Sequence, residues 1–384
     1  MQKNLTKNNN IFSRQDTKMI KGFAVVMMLI HHLWGFPGRY LPDMDIKMSN
    51  IVIQGTDIDL IHAIGFFGKT CVPLFMFLGG YGLWNKMQKE YSLAKDIKRL
   101  YQALWKVAII FIPFGLVFLS HQSDYMSETL FCHIFEDHSI NMIIHNFLGT
   151  ATQGVNMYNL EWWFFLPYLI AMVIGYIFIS VNKINNFWVD AFGVLIFDIA
   201  TQNFFPAVVS IEPFSRLGQS FWFQKFFTCN EFTSCFLMGI VFAKYNALIR
   251  LQELYRETFL TKFGKLVGGG IGIFVIFWCR EFILGWLDIL YTPFIIIFIL
   301  EWIKAFSPLQ KFFALLGKHS TNMWLTHSFY CYYFGSVVKL VLMSRNAYIA
   351  LATLIVLSLI TAIALDKFWG FIGFCRQRAF GRES

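Results

Sequence analysis

Residues 158–181 read YNLEWWFFLPYLIAMVIGYIFISV, and this stretch decides the fold class. It is apolar along almost its whole length and holds one charged residue, Glu161, near its start. A helix that crosses a bilayer needs about 20 mostly apolar residues, so this stretch is long enough to do so. It therefore predicts a transmembrane helix.

Nine further stretches of similar length and apolarity occur along the chain. The ten predicted spans cover residues 19–36, 60–84, 100–119, 158–181, 187–205, 228–245, 266–284, 286–303, 319–343 and 347–371. Asp190, Asp198 and Gln202 interrupt the fifth span. The two acids are either buried acids with no evident partner or a sign that the span is misplaced. The short gap between the seventh and eighth spans predicts a tight hairpin. We expect an all-α polytopic membrane protein with about ten transmembrane helices.

The composition of the whole chain agrees with a membrane protein. Of its 384 residues, 57% are hydrophobic and 14% are charged, and the mean hydropathy is +0.53. A soluble domain has roughly a quarter of its residues charged, so lipid must cover much of this surface. The net charge of +9 does not indicate nucleic-acid binding, because the basic residues fall in short connections between apolar stretches. The seven scattered cysteines have no metal-ligand spacing and are interpreted as packing residues.

The distribution of lysine and arginine predicts the orientation. With the N-terminus inside, 23 of the 32 basic residues fall in cytoplasmic segments and seven in outer segments. Such an excess follows the positive-inside rule, and it predicts that both termini are cytoplasmic. The expected organisation is a cytoplasmic tail (1–17), one membrane domain (18–374) and a second cytoplasmic tail (375–384). The expected location is the cell membrane, with the chain crossing it many times.

The first predicted span carries two ionisable residues on one side. Lys21 and His32 are eleven residues apart, about 16 Å along a helix and close to three turns, so their side chains point the same way. Lys21 lies at the predicted cytoplasmic edge and His32 near mid-membrane, whereas His31 is turned away. An ionisable group at that depth is costly and indicates a functional site. The alternative is a histidine that only packs against a neighbouring helix.

Five motifs follow one another along the chain. They are a basic residue, ten residues and a histidine (21–32), VPLFMFLGGY (72–81), KDIKRLY (95–101), NLEWWFFL (159–166) and LGKHSTNMWLTH (316–327). In this order they resemble the membrane-bound acyltransferase-3 family, of the stand-alone glycan O-acetyltransferase type. Lys21 stands where that family usually has arginine, Gly79 where it has serine and Trp324 where it has tyrosine. The proline that usually follows the basic stretch is missing.

The resemblance implies a reaction and its partners. It implies transfer of an acyl group, usually acetyl, from cytoplasmic acetyl-CoA to a hydroxyl of a cell-surface or secreted glycan. We expect acetyl-CoA as donor, a glycan or polysaccharide as acceptor, and no metal. The sequence leaves open which acyl group and which sugar are used, the oligomeric state and the need for a partner protein.

The chemistry of such a reaction assigns roles to the first candidates. Coenzyme A carries phosphates at one end and its thioester at the end of a long arm, so Lys21, Lys98 and Arg99 are candidates to bind the phosphates. For Lys98 and Arg99, ordinary anchoring at the cytoplasmic surface is the alternative. Neutral imidazole is suited to general-base work near neutral pH. His32 is thus either the base for the acceptor hydroxyl or a nucleophile that takes the acyl group itself.

The later motifs supply further candidates. Ser320 and His327 are seven residues apart, on one face of a helix. His327 is a candidate for the thioester site or for support of His32, with a polar helix contact as the alternative. Ser320 is a candidate for donor binding or the start of the helix. Glu161, Trp162 and Trp163 are candidates to bind the sugar, by a hydrogen bond and by stacking, with an interfacial aromatic belt as the alternative.

Two other functions would explain some of these sequence features. A transporter or a flippase for a lipid-linked glycan would also use buried histidines and acids, and Gly79–Gly80 and Gly268–Gly270 predict helix breaks of the kind transporters have. The contexts of these breaks differ and no repeated half is evident, which favours the enzyme. A glycan polymerase would not explain the Lys21 and His32 pair. One predicted outer loop holds side chains that could bind a metal, but they lack a familiar ligand spacing. They are His121, His133, Glu136, Asp137, His138 and His145.

Overall fold

The computed structural model is built from helices. It describes residues 12–39, 44, 46–47, 49, 51–53, 57–118, 139–150, 157–220, 223, 232–285 and 287–380. Within these ranges the β structure is limited to two isolated bridges, Lys47 with Asn346 and Val52 with Asp59. The predicted all-α class is therefore confirmed for the described part of the chain.

The α-helices are numbered here in chain order. They are α1 (Arg14–Trp34), α2 (Leu60–Phe67), α3 (Cys71–Met87), α4 (Leu93–Phe118), α5 (Ile140–Leu148), α6 (Phe165–Val181), α7 (Phe187–Ile199), α8 (Phe205–Val209), α9 (Ser215–Gly218), α10 (Thr233–Lys244), α11 (Ala247–Thr258), α12 (Lys262–Phe282), α13 (Asp288–Ala305), α14 (Ser307–Lys318), α15 (Ser320–Ser328), α16 (Gly335–Leu342) and α17 (Ala347–Phe380). Turns of 3-10 helix cover Pro37–Arg39, Gly68–Thr70 and Leu160–Phe164, and π turns cover Ala200–Phe204 and Phe329–Tyr333.

Six helical segments in the described residues are long and apolar enough to cross a membrane. They are Leu60–Met87, Leu93–Phe118, Leu160–Val181, Phe187–Val209, Lys262–Phe282 and Ala347–Cys375. A seventh is possible if α10 and α11, which are bent by 75°, count as one span. A multi-pass membrane protein is thus supported, whereas the count of ten and the cytoplasmic termini stay predictions.

The remaining predicted spans differ from the six for local reasons. Helix α1 has charged residues in its first two turns and two histidines in its last, which shortens its apolar part. Helix α13 contains Asp288, Glu301 and Lys304 within 18 residues. The predicted span 319–343 is divided into α15 and α16 by a π turn. The segment before Thr233 in the predicted span 228–245 lies outside the described residues, apart from Phe232.

The chain divides into two compact units, and each is described by itself. The first comprises Met1–Ala24, Thr70–Leu93 and Leu166–Lys318. Helices α3 and α10 pack closely in this unit, because glycines allow their two backbones to touch. A Cβ on Gly80 would lie 1.8 Å from the Phe236 carbonyl oxygen, and one on Gly239 would lie 2.1 Å from that of Phe77. Gly79–Gly80 and Gly268–Gly270 lie inside α3 and α12, so the prediction that they break helices is wrong.

Acidic residues of the first unit have partners that the sequence did not reveal. Asp190 accepts hydrogen bonds from Lys244 Nζ at 2.9 Å and from Tyr245 Oη at 2.8 Å. Asp198 accepts a hydrogen bond from Gln202 Nε2 at 2.6 Å and another from Ser234. The expectation that these acids lack partners is therefore corrected. The cation that pairs with Asp190 lies 54 residues away in sequence, where hydropathy does not show it.

A short connection joins α12 to α13, as the predicted hairpin requires. Arg280 near the end of α12 binds Asp288 at the start of α13 through two hydrogen bonds, of 2.7 and 3.0 Å. Both residues are buried, and paired geometry of this kind is the arrangement in which a buried ion pair is tolerated.

The second unit comprises Val25–Lys69, Ala94–Phe165 and His319–Ser384. Helices α1 and α2 meet where His31 Nδ1 lies 2.9 Å from the Gly65 carbonyl oxygen. The Trp34 indole donates to the Ala347 carbonyl at 3.1 Å and so joins α1 to α17. Helix α15 is held to α17 where His319 Nδ1 lies 2.6 Å from Asp366 Oδ2. The last turn of α1 and the start of α15 are therefore both held against α17 in this unit.

Candidate active site

His32, in the last turn of α1, lies in a cluster of polar and aromatic side chains in the second unit. Its Nδ1 atom is 3.9 Å from Glu161 Oε1, and its ring centroid is 4.9 Å from that of His327 on α15. We call this group the His32–Glu161 cluster; its members are His32, Arg39, Glu161, His327, Tyr332 and Tyr333. The side chain of His32 is 13% exposed, whereas His327 has no exposed surface.

Glu161 is held at the start of a 3-10 turn by its neighbour in sequence. The Asn159 side chain accepts a hydrogen bond from the Glu161 backbone N–H at 3.0 Å and caps the turn. Asn159 is itself buried and donates to Ser328 Oγ at 2.7 Å, which ties the turn to the end of α15. The Trp162 indole donates to the Leu325 carbonyl at 2.9 Å. The NLEW segment is therefore fixed on both sides of the carboxylate.

Both carboxylate oxygens of Glu161 already have a partner. Tyr333 Oη donates to Oε2 at 2.7 Å, and Arg39 Nη1 donates to Oε1 at 3.3 Å. Glu161 is only 4% exposed, and an isolated charge at such a position would be very unfavourable. The Arg39 cation therefore balances the carboxylate, and Tyr333 supplies a second stabilising hydrogen bond.

Arg39 follows α1 in a 3-10 turn outside the helix. Its guanidinium lies 4.1 Å from the centre of the Phe36 ring and 5.1 Å from that of Tyr332, within the range of cation–π attraction. Burial disfavours its charge, but Tyr332 and Glu161 outweigh that effect and raise the pKa of Arg39 above its ordinary value. Arg39 is therefore a permanent cation beside the carboxylate.

The protonation pattern of His327 follows from its partners. Its Nδ1 atom lies 2.7 Å from the Trp324 carbonyl oxygen, which can only accept, so Nδ1 carries the proton. Its Nε2 atom then presents a lone pair, and this atom is buried without a hydrogen-bond partner. Leaving such a group unsatisfied costs about 1–3 kcal/mol. A buried acceptor of this kind beside His32 is therefore available for a donor that arrives during the reaction.

The protonation pattern of His32 follows in the same way. Tyr332 Oη donates its proton to the His32 carbonyl oxygen, so toward His32 Nδ1, at 3.5 Å, it offers only a lone pair. The Glu161 carboxylate also faces Nδ1. Both neighbours favour a proton on Nδ1, which leaves Nε2 of His32 as the basic nitrogen.

A π turn places two consecutive tyrosines in the cluster. The Phe334 N–H donates to the Phe329 carbonyl oxygen at 2.8 Å, five residues back, so α15 is followed by one wide turn. Within this turn Tyr332 reaches His32, and Tyr333 reaches Glu161. Such turns are often found at functional sites.

A family model described as an acyltransferase domain matches residues 17–366, which is most of the chain. The chain belongs to the acyltransferase-3 family. Together with its long apolar helices, this membership makes it a multi-pass membrane acyltransferase. No curated protein and no solved structure matches it.

The other predicted site residues of this acyltransferase lie outside the cluster. In the first unit, Lys21 is half-buried on α1. In the second unit, Lys98 is exposed on α4, and Arg99 is exposed and paired with Asp96 at 3.0 Å. Ser320 is buried as the first residue of α15. Their roles in binding the donor stay predictions.

The two tryptophans of the NLEWW segment differ in their surroundings. Trp162 is 4% exposed, and its ring packs edge-on against Phe329. Trp163 is half-buried, with its ring next to Phe164. Of the two, Trp163 has surface available for a substrate, and its contact with a sugar stays a prediction.

Sequence reasoning missed members of the cluster. In the sequence, Arg39 is one of the seven basic residues of the predicted outer segments. Tyr332 and Tyr333 lie within the apolar predicted span 319–343. The signal that could have pointed to Arg39 is its short distance from His32 in sequence, just past the predicted end of the same helix. For the two tyrosines we find no comparable signal, because aromatic residues are common throughout this chain.

The histidines considered for a metal site are only partly within the described residues. His121, His133 and His138 lie outside them. His145 lies in α5, and its Nδ1 atom is 2.9 Å from Thr150 Oγ1. Among the described residues no group of three or more metal-binding side chains is found.

Proposed function

We propose that this membrane acyltransferase transfers an acetyl group from cytoplasmic acetyl-CoA to a hydroxyl of a cell-surface or secreted glycan. The observation that carries the proposal is the partly exposed His32 facing the buried Glu161 carboxylate. A histidine oriented by a carboxylate is the arrangement that activates hydroxyl groups in acyl transfer.

In the proposed reaction His32 is the general base. Its Nε2 atom takes the proton of the acceptor hydroxyl, and the oxygen attacks the thioester carbon. The C–S bond breaks, an ester forms, and the imidazolium returns the proton to the departing thiolate. We favour a base over a nucleophile because the Glu161 carboxylate, 3.9 Å from Nδ1, stabilises the imidazolium that a base becomes.

Two other members of the cluster support this step. His327 is fully buried, so it acts through His32 rather than on the substrate, and the lone pair on its Nε2 atom stabilises the positive charge of the neighbouring imidazolium. Arg39 keeps Glu161 ionised, so that the carboxylate can stabilise the His32 imidazolium when it forms. We assign Glu161 to His32 rather than to a sugar hydroxyl, because Glu161 is only 4% exposed and its Oε1 atom lies 3.9 Å from His32 Nδ1.

The remaining candidate residues would contact acetyl-CoA and the glycan. The cations Lys21, Lys98 and Arg99 would bind the phosphates of acetyl-CoA, with Ser320 as a further polar contact. Trp163 would stack on the sugar ring. These assignments follow from the family and from the charges of the residues.

The decisive experiment is acetyl-CoA turnover by the purified protein in nanodiscs. We expect wild type to release coenzyme A, slowly to water and faster with a glycan acceptor. His32→Gln should lower the rate about a hundredfold or more, and Lys21→Gln should weaken acetyl-CoA binding. His62→Gln is the matched control, since His62 is a half-buried histidine of the same unit that bonds the Gly35 carbonyl rather than the cluster.

Two outcomes would overturn the proposal. A folded sample that does not bind acetyl-CoA would reject the donor and favour the transporter or flippase reading. A His32→Gln variant with wild-type turnover would reject the assigned base while leaving the donor in place.

A further inference from the structure

A deep groove in the first unit runs between α7, α10, α11 and α13. It encloses about 490 Å³, which lies within the usual size of a small-molecule site. Its walls are almost entirely apolar and include Trp188, Phe192, Met238, Leu251 and Phe294. The proposed acyl transfer does not involve it.

The groove opens to the outside of the protein along α7. Trp188 and Phe192 line it, yet they are 66% and 58% exposed. They belong to the candidate span Phe187–Val209, of which only 19% is buried inside the protein. Such an apolar surface on a spanning helix faces hydrocarbon, so the natural content of the groove is a lipid chain.

One end of the groove is polar. Helix α11 leaves α10 at an angle of 75°, and the two polar residues that line the groove, Tyr245 and Arg250, both lie at this bend. A helix that turns this sharply from a span is suited to lie along the membrane interface, at the depth of lipid headgroups. In the predicted topology this end faces the cytoplasmic leaflet.

Arg250 is the unused cation at this end. Its neighbours are engaged, because Lys244 pairs with Asp190 at 2.9 Å and Arg256 pairs with Glu301 at 2.7 Å. The Arg250 side chain is exposed and has no ion pair or hydrogen bond within the described part of the chain. An unpaired guanidinium at the mouth of an apolar groove is suited to a ligand with an anionic head and an apolar tail.

We propose that this groove binds one phospholipid with an anionic headgroup. The phosphate lies on the Arg250 guanidinium, and one acyl chain lies between α7 and α13. A guanidinium binds phosphate with two parallel hydrogen bonds, and basic pockets between spans bind anionic headgroups. A zwitterionic lipid would bring its own cation next to Arg250 and is therefore disfavoured.

The first test measures lipid selectivity. The full chain is purified with equal amounts of phosphatidylglycerol and phosphatidylethanolamine, and native mass spectrometry quantifies the lipid that remains bound. A cation at the headgroup level is worth about 1 kcal/mol, so wild type should retain the anionic lipid about fivefold over the other. Arg250→Gln should reduce this ratio to about one.

The matched control is Lys311→Gln, which removes one exposed cation on α14 that does not line the groove. It should keep the wild-type ratio. Equal retention of both lipids by wild type, or an unchanged ratio in folded Arg250→Gln, would overturn the proposal. Since the readout is lipid binding, it is independent of acyl transfer.

A second test identifies the occupant directly. Phe192→p-benzoylphenylalanine places a photoreactive group in the groove wall. A cross-linked product with the added mass of phosphatidylglycerol supports the proposal. A cross-linked dimer would mean that a second copy of the chain covers the groove, and would overturn it.

Discussion

Glu161 is a charged side chain buried among neutral neighbours, with Arg39 as its counter-ion. The two atoms that join them are 3.3 Å apart. Changing Glu161 leaves the Arg39 charge without its counter-ion, and because Arg39 is 28% exposed, water offsets part of the cost. This residue is therefore expected to affect both activity and stability.

Glu161→Gln separates these effects when compared with Tyr333→Phe. The glutamine variant removes the charge that stabilises the His32 imidazolium, so we expect kcat to fall at least about tenfold. Tyr333→Phe keeps the charge; it removes one hydrogen bond to the carboxylate and the one that Tyr333 Oη accepts from the Leu160 N–H. Turnover and melting temperature are measured for both. Equal kcat for the two variants would contradict a charge-based role.

His327→Phe tests the free lone pair beside His32. Phenylalanine keeps a ring in the buried position but removes the Nε2 acceptor. We expect kcat to fall about tenfold while acetyl-CoA binding, measured by calorimetry, is unchanged. A variant with full activity would show that His327 only packs against its neighbours.

At this scale the sequence predicted the two histidines and Glu161 but not their relation. His32, Glu161 and His327 stand in motifs, and the two histidines also lie deep in apolar stretches. The orphaned Nε2 atom and the Arg39 counter-ion depend on which helices meet. A single sequence does not specify which helices are in contact.

Among the helices of the first unit, α3 and α10 approach each other closely. The glycines at this contact place no side chain between the two backbones. The Gly80 backbone therefore packs directly against the Phe236 carbonyl group, and an added Cβ would lie 1.8 Å from its oxygen. The sequence suggested a helix break at Gly80. The helix instead continues through Gly80, because a glycine in a membrane helix also allows a neighbouring helix to pack closely.

Gly80→Ala should destabilise the protein strongly. The added Cβ would lie 1.8 Å from a backbone oxygen that cannot rotate away, so the helices must separate. We expect a cost of about 3 kcal/mol or more, measured as a lower melting temperature in detergent.

Gly82→Ala is the control for this experiment. It lies on the same helix, and its Cβ would meet nothing within 4 Å. Since alanine favours a helix over glycine by about 1 kcal/mol, this variant should be as stable as wild type or more so. Equal loss in both variants would contradict the role of the α3–α10 contact.

For the molecule as a whole, the orientation in the membrane stays a prediction from charge. Cys375 offers a natural probe, because it is a free and exposed cysteine in the last two turns of α17. If the C-terminus is cytoplasmic, an impermeant maleimide should label Cys375 in inverted vesicles and not in right-side-out ones. Cys375→Ser provides the background signal. Labelling in right-side-out vesicles that is lost in Cys375→Ser would reverse the assigned orientation.

The class and family of the molecule were accessible from the sequence, whereas the number of spans stays a prediction. Apolar length and charge asymmetry are local properties that add along the chain. Residues such as Asp288 and Glu301 interrupt apolar stretches yet are satisfied by Arg280 and Arg256 in the fold. A hydropathy pattern counts such residues as penalties, because it does not see their partners.

The π turn at Phe329–Tyr333 has a consequence for how this protein can vary. A π turn holds one residue more than an α-turn over the same hydrogen-bonded step, and here that extra residue lets Tyr332 and Tyr333 serve two different partners. Deleting one residue from this turn would restore a regular helix and withdraw one tyrosine from the cluster. Natural relatives should therefore differ in the identity of these residues far more often than in their number.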